Sequence, residues 1–384
     1  MTTIEDVLSS IRSVPRGRAM PAVAYTHPEM LALERERIYG QEWVCVGRQG
    51  TLERPGSYLT ADVAESPVLV VRQDDGSIRA FVNVCRHRHT QIVDGVGTVS
   101  RFVCPYHAWM YDKDGTLVRA KDLDRVQVPA DCSQNVERLP EVRCEVWNGF
   151  IFVTLADDTQ PVSENLAGLA EILQNYHLDR FDDTIVVHDD VDWAANWKLV
   201  FENFVDSYHL DYVHRASIGP STPSALASRR TVREPHFSAQ DNRHSAPVNE
   251  DVPAVMNPFV PAEDHDLVVV MGVYPNLVFS IEPDFMWWIA MTPVDAARTS
   301  TVWGVSFSSE YKDIPDYESN LKLMRELIQA ATAEDKATLV AVQKGVRRND
   351  PDVGYLHEEW EAYVGEFLNY IQRVLAGAPQ SSQS

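Results

Sequence analysis

The sequence predicts an α+β protein built from two unlike parts, an all-β unit followed by an antiparallel sheet wrapped over a long helix. Three observations predict it. From Val44 to about Leu155, short alternating apolar runs are punctuated by Asp-Gly and Asn-Gly turn signals. From Leu267 to Phe307, strand-like runs follow one another with no helical stretch between them. Helical periodicity then returns from about Tyr317 to Arg348. Consecutive strands with a late helix favour an α+β arrangement over βαβ units. The 384 residues, 45% hydrophobic and 23% charged, suffice for more than one buried core.

The elements follow in order. Leu31 to Trp43 has helical spacing with mixed charge. Pro67–Arg72 and Ile78–Val84 flank Asp74-Asp75-Gly76, a hairpin signal, and Asp114-Gly115 marks another after Trp109 to Asp112. Val142 to Leu155, with Trp147-Asn148-Gly149 at its middle, reads as a returning strand pair. Helical periodicity marks Asn165–Tyr176 and Asn196–Tyr208, with a strand over Ile185–Trp193 between them. A Ser-, Pro- and Asn-rich stretch runs from about Ala216 to Asp266. Strands are expected at Leu267–Val273, Leu277–Glu282, Met286–Thr292 and Thr301–Phe307, and a last helix over about Glu358–Leu375. The tail after Ala376 is expected to fray.

Composition limits the partners. Thirty-four Lys and Arg against 56 Asp and Glu give a net charge of −22. That argues against nucleic acid or an anionic membrane surface, and suits a basic redox partner or a cationic substrate. The start, Met1–Ser10, is acidic and lacks the pattern of a signal peptide. No apolar run approaches the roughly 18 residues that span a bilayer. Cys45, Cys132 and Cys144 have no paired spacing, and free thiols fit a cytoplasmic setting.

Cys85-x-His87, separated by sixteen residues from Cys104-x-x-His107, supplies two thiolates and two imidazoles in two matching clips at strand ends. In a Rieske two-iron, two-sulfur centre, one iron keeps two cysteines and the other takes two histidines, so this ligand set fits one cluster. The same four residues are also a ligand set for a structural zinc ion. His89, four residues after Cys85, is a possible competitor of His87. Farther on, Asn203, Asp206 and His209 are spaced three apart, as on one side of a helix. His214 lies five past His209, so the helix is expected to end or bulge near His209 to let both imidazoles converge. Two histidines and one carboxylate would make the facial triad of non-haem iron oxygenases.

Cys85-Arg86-His87-Arg88 and Cys104-Pro105-Tyr106-His107-Ala108-Trp109 closely resemble the two cluster loops of Rieske proteins, in particular the terminal oxygenases of the ring-hydroxylating family. Two departures stand out. The family has Gly where this chain has His89 and Ala108. His87 is kept as the ligand, with His89 behind it or at the surface, and Ala108 is expected to need only an ordinary backbone angle. Asn196-Trp197-Lys198 and the run from Glu202 through Asp206 to His209 and His214 resemble the family's mononuclear-iron motif. Glu334-Asp335 before Gln343-Lys344-Gly345 resembles its carboxylate helix. Asp335 is the chosen third ligand because it shares a face with Leu339, whereas Glu334 points about 100° away.

The resemblance implies an N-terminal helical segment over 1–43 packing on the catalytic domain, a Rieske domain over 44–155 and a helix-grip catalytic domain over 156–384. It implies one Rieske cluster held by Cys85, His87, Cys104 and His107, and one mononuclear iron held by His209, His214 and Asp335. Asn203 and Asp206 take catalytic roles, Asp206 bridging a cluster histidine of one subunit to an iron histidine of the next in a homotrimer. The implied function is the terminal oxygenase, using O2 and electrons from NADH or NADPH that arrive through a separate reductase or ferredoxin. Its substrate is an aromatic acid or an N-methylated amine. A pure electron carrier or redox sensor is the alternative. Phe279, Phe285, Met286, Trp287 and Trp288 lie on the catalytic strands, and alternation sends Trp287 and Trp288 to opposite faces.

Overall fold

The computed structural model describes residues 2–121, 137–187, 192–230, 234–246, 257–283, 285–308, 317–348, 350 and 354–376. Cys132 and the tail beyond residue 376 lie outside the described residues, as does part of the expected Ile185–Trp193 strand. The chain divides into two compact units, Tyr39–Val162, and Met1–Ile38 together with Ser163–Ser384.

Among the described residues the smaller unit is built mainly of β-strands. Val44–Arg48 (β1), Ser57–Val63 (β2), Ser66–Arg72 (β3), Ile78–Val82 (β4), Val96–Thr98 (β5), Glu141–Trp147 and Phe150–Thr154 join in one antiparallel sheet, with the last two closing it beside β1. Asn148 (φ 47°) and Gly149 (φ 83°) form the turn between those two strands, where two successive left-handed residues match the strand twist. Phe102–Val103, Met110–Tyr111 and Leu117–Arg119 form a small separate sheet. Leu69, Val71 and Phe81 from the first sheet pack with Phe102, Trp109 and Tyr111 in one apolar cluster that also contains Cys85 and Cys104.

The larger unit carries an antiparallel sheet that includes Phe181–Val187, Phe237–Arg243, Leu267–Val273, Leu277–Ile281, Phe285–Asp295 and Arg298–Ser308. Phe237–Arg243 lies inside the polar Ala216–Asp266 stretch, for which sequence reading offered no strand. Its alternating Ser, Gln and Asn side chains hide the apolar period, yet four of its first four residues are buried between neighbouring elements. The helices used below are Ile4–Arg12 (α1), Met30–Glu34 (α2), Trp197–Phe204 (α3), Leu210–Val213 (α4), Tyr317–Val346 (α5) and Ala362–Ala376 (α6). The expected Leu31–Trp43 helix is shorter and changes to a π-helical turn at Arg35–Tyr39.

Asn196 caps α3 by accepting from the Lys198 backbone N–H. Its own N–H donates to Gln343 Oε1 of α5 at 2.7 Å, which fixes the start of α3 on the long helix. Gly272 of the sheet lets α3 come close, because a Cβ there would stand 2.9 Å from Phe201 and 3.0 Å from Val205. Lys198 is wholly buried against Glu34 of α2, and Trp197 Nε1 donates to the other Glu34 oxygen at 2.7 Å. The ammonium therefore depends on a single carboxylate, itself held by a second donor. Glu34→Ala is expected to cost about 3–5 kcal/mol by leaving Lys198 buried and unpaired. Chemical denaturation of the variant, and of Glu34→Leu with Lys198→Met, in which stability should largely return, checks this.

Candidate functional site

The two cysteine–histidine clips fold alike. In the first, the Cys85 N–H donates to Thr90 O at 2.8 Å and the His89 N–H to Cys85 O at 3.2 Å. In the second, the Cys104 N–H donates to Trp109 O at 2.8 Å and the Ala108 N–H to Cys104 O at 3.0 Å. The turn closes only if the fifth residue of each clip takes left-handed backbone, and His89 (φ 57°) and Ala108 (φ 55°) both do so. The expectation of an ordinary angle at Ala108 is therefore wrong. Both departures from the family pattern sit where a side chain on left-handed backbone costs ~1–2 kcal/mol.

The clips place the thiols inside and the imidazoles outside. Cys85 and Cys104 are each 2% exposed, whereas His107 is exposed and His87 half-buried. The His87 and His107 rings meet at 4.6 Å, and His87 stacks on Trp109 at 4.8 Å. Tyr111 Oη lies 3.3 Å from Cys85 Sγ and accepts the Arg86 N–H at 3.0 Å, so a buried phenol supports the sulfur. His87 Nδ1 is buried without a hydrogen-bond partner, as expected of a nitrogen that faces a metal. His89 is exposed and its ring takes no part in this convergence.

The second constellation lies in the larger unit. Helix α3 ends at Phe204, earlier than expected, because the Ser207 N–H donates to Trp360 O at 3.0 Å instead of continuing the helix. Asp206 then accepts the Tyr208 N–H and starts a new turn, on which α4 carries His209 at its beginning and His214 at its end. The Val213 N–H to His209 O bond and the His214 N–H to Leu210 O bond hold that short helix. His209 Nε2 and His214 Nε2 approach to 3.2 Å. Asp335 Oδ1 of α5 lies 3.1 Å from His214 Nε2 and 3.6 Å from His209 Nε2. Among the described residues these three side chains form a group whose ligand atoms all lie within 4.8 Å of one another.

Their surroundings fit a cation. Asp335 is 3% exposed, on the same buried stripe of α5 as Ala331, Leu339 and Gln343, and its Oδ1 has no hydrogen-bond partner. Two facing imidazole nitrogens and a buried carboxylate are stable together when an ion lies among them. Burial alone would lower the His214 imidazole, but the Asp335 and Glu334 carboxylates outweigh it and raise it above its ordinary value. Asp206 Oδ2 stands 3.2 Å from His209 Nδ1. Asn203 is buried on α3 with its Nδ2 unpartnered. Glu202 beside it is pushed up to about 8 by burial, against the opposing hydrogen bond from Tyr25. Glu334 leaves α5 at the expected angle of about 100° from Asp335, and from there its Oε2 lies 2.9 Å from His214 Nδ1, a contact that sequence reading did not assign. The missed signal was its position directly before Asp335, one residue from the chosen ligand.

The profile described as ring hydroxylating alpha subunit (catalytic domain) matches residues 180–377, more than half of the chain. The chain belongs to that family. A second profile, the Rieske [2Fe-2S] domain, matches residues 42–130, and with the two constellations it makes this a Rieske non-haem iron oxygenase with a two-iron cluster and a mononuclear iron. The glycine betaine monooxygenase oxygenase subunit of Chromohalobacter salexigens is 36% identical over 205 residues, a match spanning 53% of this chain but only 45% of that protein. The carnitine monooxygenase oxygenase subunit of Acinetobacter baumannii is 27% identical, with 85% of each covered. A solved quaternary ammonium Rieske monooxygenase in complex with gamma-butyrobetaine superposes with a TM-score of 0.76 at 23% identity, covering 97% of this chain and 99% of that one. Naphthalene 1,2-dioxygenase from Rhodococcus sp. gives 0.71 at 21%, covering 99% and 100%. These two likenesses establish the shared fold.

Two expectations follow for this oxygenase. Ala108→Gly and His89→Gly each relieve a strained turn, and should stabilise the cluster loops by about 1 kcal/mol or less after the entropic cost of glycine; slower loss of the cluster's visible absorption on heating checks this. A Cβ on Gly219 would stand 2.6 Å from Leu210 O and 2.8 Å from His214 O, both backbone atoms of the turn that carries the imidazoles. Gly219→Ala should therefore push His214 out of place and lower mononuclear iron content severalfold while leaving the cluster spectrum unchanged, as metal analysis beside optical spectroscopy would show.

Proposed function

We propose that this chain is the terminal oxygenase component of a multicomponent enzyme that oxidatively demethylates a small N-methylated quaternary amine. The observation that carries the reading is the pairing of the two constellations in one chain, a thiol–imidazole cluster site and a two-histidine, one-carboxylate iron site. A pure electron carrier has no use for the second. Hydroxylation of an N-methyl group consumes one O2, two electrons and two protons; the substrate gains one oxygen atom, water takes the other, and the resulting carbinolamine loses formaldehyde. Electrons come from NADH or NADPH through a reductase or ferredoxin.

Bound iron supplies the site at which dioxygen is reduced next to the substrate. Cys85, His87, Cys104 and His107 would hold the cluster, and His209, His214 and Asp335 would hold the iron. The exposed His107 gives electrons an exit at the surface. Asp206, 3.2 Å from His209 Nδ1, would link a cluster histidine of a neighbouring subunit to this imidazole. A homotrimer in which each cluster serves the next subunit's iron agrees with the exposed aromatics beside Asp206, Tyr208 and Tyr212, and beside His107, Tyr106. Asn203 starts the turn through its backbone, its carbonyl accepting the Asp206 N–H at 3.4 Å.

Substrate class rests on charge and on one wall. Trp287 meets Phe204 of α3 at 5.0 Å, so it faces the ligand-bearing side of the sheet, whereas Trp288 is fully buried and cross-strand from Phe279. An aromatic wall in a chain of charge −22 suits a cation held by its π faces. Glycine betaine and carnitine are what the related enzymes are named for. We place the protein in the cytoplasm, on the unbridged Cys144, whose thiol burial pushes up to about 12. No helix among the described residues is long and apolar enough to cross a membrane.

Turnover with a surrogate reductase, scored as formaldehyde formed against O2 consumed, tests the reading. Quaternary amines should give formaldehyde in step with O2 consumed, and aromatic acids no product; product from aromatic acids alone would move the substrate class. Replacing His209, His214 or Asp335 by Ala should remove iron and turnover and spare the cluster. Asp206→Asn should keep both metals and lose most electron transfer, and full activity from a demonstrated monomer would refute the bridge.

A further inference from the structure

Each imidazole at the mononuclear site turns its outer nitrogen to a different carboxylate. His209 Nδ1 faces Asp206 Oδ2 at 3.2 Å, and His214 Nδ1 faces Glu334 Oε2 at 2.9 Å. The second pair has a construction of its own. Glu334 and Asp335 are consecutive on α5, so their side chains leave the helix about 100° apart. The His214 ring occupies that angle, with Asp335 Oδ1 3.1 Å from Nε2 and Glu334 Oε2 2.9 Å from Nδ1. One helix therefore grips both nitrogens of one imidazole.

Carboxylates face both nitrogens of His214, and a neutral imidazole can donate to only one of them; with Nε2 holding the metal, the proton sits on Nδ1 and points to Glu334. The Glu334 oxygen is itself fixed. Ser217 Oγ donates to Oε2 at 2.6 Å, and the Ser217 and Gly219 N–H groups both donate to His214 O, at 3.0 and 2.9 Å. The turn after His214 thus closes on the backbone of the residue whose ring it helps to orient. Asp206 differs: it shares its carboxylate with the Tyr208 N–H, in a segment with exposed aromatics, and touches neither His214 nor Asp335.

We propose that Glu334, held by Ser217, is the positioning residue of His214 and sets the metal affinity of the mononuclear site, a duty separate from that of Asp206. The proposal rests on the reading that His209, His214 and Asp335 hold the metal. A carboxylate on the far nitrogen of a ligating histidine fixes its tautomer and ring angle and raises its basicity, and losing such a partner typically costs about 10–100-fold in metal affinity.

The test is competition titration of Co(II) into protein stripped of its mononuclear iron with the cluster intact, followed by the visible absorption of bound Co(II). Glu334→Ala should bind Co(II) about 10–100-fold more weakly, with cluster absorption and melting unchanged. Glu334→Gln, whose amide oxygen still accepts from Nδ1, should recover most of the affinity, and Ser217→Ala should fall between. Unchanged affinity in Glu334→Ala, or Glu334→Gln as weak as Glu334→Ala, overturns the positioning role. His214→Ala in the same assay tests the underlying site: if it loses Co(II) while Glu334→Ala keeps it, only the role of Glu334 falls, and if it binds unchanged, the metal site itself is wrong.

Discussion

A buried carboxylate that needs a cation governs the larger unit. Asp335 lies on the apolar stripe of α5, almost without solvent, with two imidazole nitrogens in front of it. Burying that charge unpaired would cost several kcal/mol. The surrounding devices serve to bring positive charge there. Helix α3 is tied to α5 through Asn196 and Gln343, and stops where Trp360 captures the Ser207 N–H. The short α4 then carries both histidines to the carboxylate. Gly219 allows the following backbone to close over this turn.

The smaller unit solves a different problem with a repeated device. Two clips of the same hydrogen-bond pattern bury a thiol each in one apolar cluster and leave the imidazoles toward the surface. The thiols sit in low dielectric while the imidazoles remain within reach of solvent. The cost falls on His89 and Ala108, left-handed residues without the freedom of glycine. Nothing in the structure explains why glycine is absent from both positions.

The two sites also differ in how their histidines are supported. In the cluster loops the support is a ring, Trp109 stacked on His87, and a phenol against Cys85. At the mononuclear site it is two carboxylates, one toward a segment with exposed aromatics and one on the helix that also carries Asp335.

The sequence by itself determined the chemistry. Ligand identity and spacing are local properties, so Cys85, His87, Cys104 and His107 were legible as one set, His209 and His214 as another, and the hairpins from their Asp-Gly and Asn-Gly turns. Asp335 was chosen with the help of a face shared with Leu339. Tertiary structure decided what depends on residues far apart in the chain. Helix α3 ends early because Trp360, more than 150 positions away, takes its N–H. Phe237–Arg243 becomes a strand because Leu267–Val273 pairs with it, although its own side chains are polar. The left-handed turns at His89 and Ala108 follow from closing a loop over two buried sulfurs. Glu334 reaches His214 because the ring is wide enough to fill the angle between two consecutive helix positions. Periodicity records which face a residue leaves from, but not what stands in front of it.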